Sequence, residues 1–196
     1  LGYVREAFWR MLSPTARAAL APGVERTLQA GWARPAPATL RRTFTATFRN
    51  VVTTPAGVEL LDRLWRSPAE AGAPDVSEAD AIAIACELAV RREPDADEVL
   101  GTQRSRIADP GRRARLDFVA PALSPRTDER ARFFASLADR ANRTREPWVI
   151  EAAGWLHHPL RADASLGFIE PSLDLLEELQ RTGDIFLPKR WLDATL

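Results

Sequence analysis

His157 and His158 are the only histidines in the chain. They stand side by side before Pro159, at what reads as a helix end. Neighbouring helix positions point about 100° apart, so this pair is poorly placed to grip one metal ion together. Glu151 precedes them, but no His-Glu-x-x-His spacing occurs. Cys86 is the only cysteine, which removes both an internal disulfide and a cysteine-rich zinc site. The expectation is no metal site and no resident cofactor in this chain. The ordinary reading makes one histidine a cap at the helix C-terminus, with the other packing or hydrogen-bonding in a groove. A substrate-channel role is the alternative. There is no Gly-x-Ser-x-Gly elbow and no glycine-rich phosphate loop, so no catalytic residue is assigned.

The cations are the other candidates for chemistry. Arg161 follows the histidines, and Lys189-Arg190 sits in the apolar segment from Gly183 to Trp191. Each could meet a carboxylate. Phe186 and Trp191 are expected to anchor that segment in the core, leaving Lys189 and Arg190 to solvent, to a carboxylate or to a partner domain. Arg104, Arg106, Arg112, Arg113 and Arg115 read as a solvated face paired with nearby acids. Arg140, Arg143 and Arg145 lead into Glu146; either an Arg143–Glu146 pair or an anion-binding surface would use them. Trp148 and Trp155, seven positions apart, share a helix face and read as core.

The elements that position these groups are helices. Leu40, Phe44, Phe48 and Val51 mark one apolar stripe, and Val58, Leu61, Leu64 and Trp65 a second, opened by Thr54-Pro55. Ser67 to Val76 reads as a loop. Ser77 caps the next helix, whose apolar residues from Ala81 to Ala89 surround most of its girth and place it centrally. Asp95 opens a helix to about residue 108, Asp109-Pro110-Gly111 turns the chain, and Leu116, Val119 and Leu123 follow. Phe133, Phe134 and Leu137 mark another helix. Pro171-Ser172 is expected to open an acidic helix through Leu173, Leu176 and Leu179, with Gly183 closing it in the left-handed conformation. A last short helix surrounds Trp191. About ten helices with short loops and no alternating strand give an all-α chain. The helix-turn-helix rhythm favours stacked antiparallel pairs, a HEAT- or armadillo-like α-solenoid with a concave surface.

The 196 residues fit one helical domain, and 45% of them are apolar, as in globular proteins generally. Lys plus Arg and Asp plus Glu both total 27. That balance disfavours a nucleic-acid partner. No apolar run approaches the roughly 18 residues of a membrane span. One cysteine and no signal peptide fit a cytoplasmic location. A chain opening on Leu1 reads as a piece of a larger protein.

Four stretches in order carry a resemblance: Asn142-Arg143-Thr144-Arg145-Glu146-Pro147-Trp148-Val149, Leu156-His157-His158-Pro159-Leu160-Arg161, Pro171-Ser172-Leu173, and Gln180 through Trp191. Phe44 to Arg49, Ser77 to Asp80, Asp109-Pro110 and Phe118 to Ser124 agree with them. Over about Leu40 to Trp191 the chain resembles the C-terminal helical domain of bacterial M1-family zinc aminopeptidases. The resemblance implies a parent hydrolase that releases N-terminal amino acids, with zinc held by a separate catalytic domain of the same polypeptide. The helical domain would close over the catalytic cleft and limit access to short peptides. Arg161, Lys189 or Arg190, with His157 and His158 nearby, would meet the carboxylate of a peptide substrate. A stand-alone helical scaffold that binds a protein or peptide is the competing reading.

Overall fold

Ser13-Pro14 starts the longest helix, which the apolar stripes alone leave unmarked. The Ser13 hydroxyl accepts from the Ala16 N–H, and Pro14 occupies the first helical position, where its missing N–H costs nothing. The computed structural model describes residues 1–73 and 76–196. All regular structure among them is helical. They form two compact units, Leu1–Arg91 and Arg92–Leu196.

The first unit begins with α1 (Val4–Glu6), which runs into a π turn at Ala7–Met11. Such a turn leaves carbonyls without helical partners. Arg17 supplies them: its guanidinium donates to the oxygens of Phe8, Trp9 and Leu12 and lies 4.7 Å from the Trp9 ring centre. Arg17 belongs to α2 (Pro14–Ala33), which packs on α3 (Ala38–Val51). Gly31 makes that approach close, since a Cβ there would collide with the Phe44 ring. α4 (Pro55–Arg66) packs on α5 (Glu78–Arg91). Thr54 caps α4 through the Gly57 N–H. Ser77 and Asp80 cap α5 reciprocally, each side chain accepting from the other's backbone N–H at 3.2 Å. In α5, Ile82 and every residue from Ile84 to Val90 are buried, as a helix apolar on most sides requires. The expected loop from Ser67 to Val76 includes Pro74 and Asp75, which lie outside the described residues.

The second unit opens on a 3-10 turn at Glu93–Asp95 and contains α6 (Ala96–Arg106), α7 (Pro110–Leu123), α8 (Thr127–Ser136), α9 (Glu146–Leu156), α10 (Ala162–Ser165), α11 (Ile169–Asp174), α12 (Leu176–Thr182) and α13 (Leu187–Thr195), with further 3-10 turns at Arg140–Arg143, Pro159–Arg161 and Leu166–Phe168. α9 packs on both α7 and α13. Its buried stripe is Val149, Ala152, Ala153 and Leu156; two alanines let a neighbour come close. Trp148 and Trp155 flank that stripe and are only partly buried. Trp148 meets Phe118, and Trp155 stacks on His158.

Three expectations change here. The helix expected to open at Pro171 starts at Ile169, and Pro171 falls inside its first turn, where a proline needs no N–H partner. Gly183 is extended, with φ −98° and ψ −178°. Its bare Cα is required by packing, because a Cβ would strike Leu187 and lie 2.9 Å from the Leu179 oxygen. Phe186 does not anchor the last segment: it is 65% exposed. Trp191 does that work, fully buried with its indole N–H donating to the Ser172 oxygen.

Candidate functional site

The α9–α10 connection holds His157, His158 and Arg161. The helix ends at Leu156, and the His157 N–H still donates to the Ala153 oxygen. His158 is buried, and its Nδ1 accepts from the Leu160 N–H, capping the 3-10 turn Pro159–Arg161. His157 packs edge-on to Phe168, and its Nε2 is buried with no hydrogen-bond partner among the described residues. Burial pushes its imidazole down from the ordinary 6.5 to about 4. A positively charged cap at the end of α9 is therefore not what His157 supplies at neutral pH; desolvation outweighs the helix dipole.

This shift has a stability consequence. The unfolded chain takes up a proton near pH 6.5, and the folded chain resists it until about pH 4. The stability from a neutral His157 is complete above pH 6.5 and is lost as pH falls from 6.5 toward 4. The urea midpoint is expected to fall more steeply over that window in the wild type than in His157→Gln. Parallel curves for the two proteins would refute the assignment.

Arg161 is 5% exposed. Its guanidinium donates to the oxygens of Ala122 and Leu123, which end α7, and to Glu93 at 3.0 Å. Burial pulls its pKa below the ordinary value and Arg130 adds to this, while Glu93 opposes both. Arginine stays charged throughout. Ser165 ties the same turn by donating to the Leu156 and Arg161 oxygens. Arg161 is thus a tie between α7 and the α9–α10 connection, with its donors already engaged.

Lys189 and Arg190 lie in the first turn of α13. Lys189 is largely exposed and pairs with Asp193 at 2.5 Å. Arg190 pairs with Asp184 and reaches Glu146 at 3.9 Å. Its hydrogen bond to Asp184, helped by the Phe186 N–H, holds that carboxyl below the usual range. Asp184 in turn donates its N–H to Glu146 at 3.0 Å. This bonded turn presents Ile185 and Phe186 to solvent, 86% and 65% exposed.

Glu146 is therefore engaged by the last segment, and Arg143 does not pair with it. Arg143 is buried, donates to the oxygens of Leu137 and Ala138, and meets Glu178 at 2.5 Å. Between the turn that carries Arg140, Arg143, Thr144 and Glu146 and the segment of Thr182, Gly183 and Leu187 lies a cleft of about 270 Å³. The sequence marked both walls as motifs. It gave no sign that they face each other, because their contact depends on α9 and α13 packing together.

In the remaining arginine run Arg104 pairs with Asp117 and Arg115 with Glu151, while Arg113 donates to the Ile107 oxygen and not to an acid. No group of three or more His, Cys, Asp or Glu among the described residues could hold a metal ion. No helix among them is long and apolar enough to cross a membrane. Comparison with family models, curated proteins and solved structures finds no match to this chain.

Proposed function

We propose that this chain is the C-terminal helical domain of an M1-family zinc aminopeptidase. Zinc and the hydrolytic residues belong to the catalytic domain of the same polypeptide. The helices stack as HEAT- or armadillo-like pairs, cover the catalytic cleft and restrict entry to short peptides. The observation that carries this reading is the ordered series of motifs from Asn142 to Trp191. The geometry refines it. Arg161 and His158 are buried and bonded, so they hold the fold. Lys189 is the cation of that series best able to meet a substrate, because an exposed i,i+4 pair such as Lys189–Asp193 is worth only a few tenths of a kcal/mol. The stand-alone scaffold reading draws on one feature, the exposed pair Ile185 and Phe186, which would suit a protein partner.

The test is the double substitution Lys189→Ala, Arg190→Ala in the parent enzyme. The Michaelis constant for tri- and tetrapeptides with a free C-terminus is expected to rise about three- to fivefold, the scale of an exposed charge contact. The constant for an amino-acid amide should not change. Equal effects on both substrates, or none on either, would remove these two cations from substrate binding.

A further inference from the structure

We infer that the outer face of the helical run from Asp163 to Glu177 docks a basic amphipathic helix of a partner protein. α10, the 3-10 turn Leu166–Phe168, α11 and α12 follow one another here, and the joining residues Leu166, Ile169 and Leu175 all keep right-handed helical backbone angles. The inner face is settled. Ser165, Phe168, Ser172 and Leu179 are buried; Phe168 stacks on Phe134 of α8, and the Ser172 oxygen accepts from the Trp191 indole N–H. Asp163, Leu166, Glu170, Leu173, Asp174 and Glu177 recur at the spacing of the opposite face, and all of them are exposed. Leu166 is 64% exposed and Leu173 45%.

A single exposed leucine needs no explanation; two aligned on one face between acids do. Residues 162–180 carry five acids and no Lys, Arg or His. Glu178 pairs with Arg143, but Asp163, Glu170, Asp174 and Glu177 enter no ion pair among the described residues. Glu170–Asp174 and Asp174–Glu178 are like charges at i,i+4, which weaken a helix where an acid–base pair would support it. The helix dipole accounts for Glu170 and Glu177 in first turns, but not for Asp174 at the end of α11. Lysines or arginines flanking an apolar stripe on a second helix relieve this repulsion and cover both leucines. A second copy of this chain is the wrong occupant, since it would set acids against acids. The face runs for about 20 Å, four helical turns, which fits one helix held in a weak, reversible contact.

The test is fluorescence anisotropy of a labelled amphipathic peptide, two repeats of Leu-Lys-Lys-Leu-Leu-Lys-Lys, titrated with the 196-residue chain. A peptide of the same composition, reordered so that its leucines no longer share a face, is the control. Leu166→Gln with Leu173→Gln is expected to weaken binding about tenfold, the scale of two leucines left uncovered. Glu170→Gln with Asp174→Asn should weaken it about fivefold at low salt and much less at high salt. Glu59→Gln with Glu98→Gln, which removes two exposed charges outside this face, should leave the affinity unchanged. Circular dichroism checks that each variant keeps its helix content. Equal binding of the reordered peptide, no effect of the leucine substitutions, or an equal effect of the Glu59 and Glu98 substitutions overturns the site. Self-association of the chain that Leu166→Gln with Leu173→Gln abolishes overturns the assignment to a partner protein, and so does binding that is present in the chain and absent in the parent enzyme. Neither zinc nor turnover enters these readings, so their failure leaves the aminopeptidase proposal standing.

Discussion

Replacing Arg161 with Ala is expected to lower the stability of the Arg92–Leu196 unit by about 3 kcal/mol, the scale for leaving buried carbonyl oxygens without their donors. The substitution strips the Ala122 and Leu123 oxygens of their donors at the end of α7 and leaves Glu93 without its partner. Those carbonyls end a helix, so no intrahelical N–H replaces the loss. Arg161→Lys should recover only part of the deficit, because a single ammonium cannot span two carbonyls and a carboxylate as the planar guanidinium does. Urea unfolding of both variants checks this. A loss under about 1 kcal/mol for Arg161→Ala would mean that the tie is not formed in solution, and Arg161 would return as a candidate for binding substrate.

Replacing Glu25 with Ala is expected to cost about 3 kcal/mol in the Leu1–Arg91 unit. Glu25 lies on α2 and is 6% exposed. Its carboxylate accepts from the Thr53 and Thr54 N–H groups at 2.8 and 2.9 Å and from the Thr54 hydroxyl. It therefore completes the cap of α4 from a residue 28 positions away. An anion at this helix start also meets the favourable end of the dipole. Truncation leaves two N–H groups without a partner beside the buried Gly57, where there is no room for a Cβ next to Glu25 and Val52. Glu25→Gln should cost less, since one amide oxygen still accepts while its NH2 faces donors. Equal midpoints for wild type and Glu25→Ala in urea would show that water satisfies these groups instead.

Much of the fold was legible because helix signals are local. Thr54-Pro55 and Ser77 each announce a start, and each side chain caps where expected, while Asp109, read as part of a turn, also caps α7. The run from Ala81 to Ala89 placed α5 in the core. What escaped depends on packing between distant segments. α2 is the clearest case: Ala21, Glu25, Leu28, Gly31 and Trp32 form its buried face. A charge and a glycine in that face break the apolar pattern, and both are there to serve neighbours, α4 for Glu25 and Phe44 for Gly31. Gly183 misled for the same reason, since its small size is needed for Leu187 and not for a positive φ. Among the candidate residues, burial separated what type could not. Arg161 and His158 turned inward, while Lys189 and Arg190 stayed near the surface in pairs with acids.

The proposed role, control of peptide access for zinc chemistry seated elsewhere in the same polypeptide, can be tested on the parent enzyme. Zinc content and turnover of a fluorogenic amino-acid amide and of peptides of graded length test it most directly. Three proteins are compared: the 196-residue chain, the parent, and the parent lacking the segment 40–191. Zinc and turnover are expected in the parent and neither in the chain alone, with deletion changing the dependence on peptide length. Stoichiometric zinc and amide cleavage by the isolated chain would contradict it, and His157, His158 and Glu151 would then have to be considered as ligands.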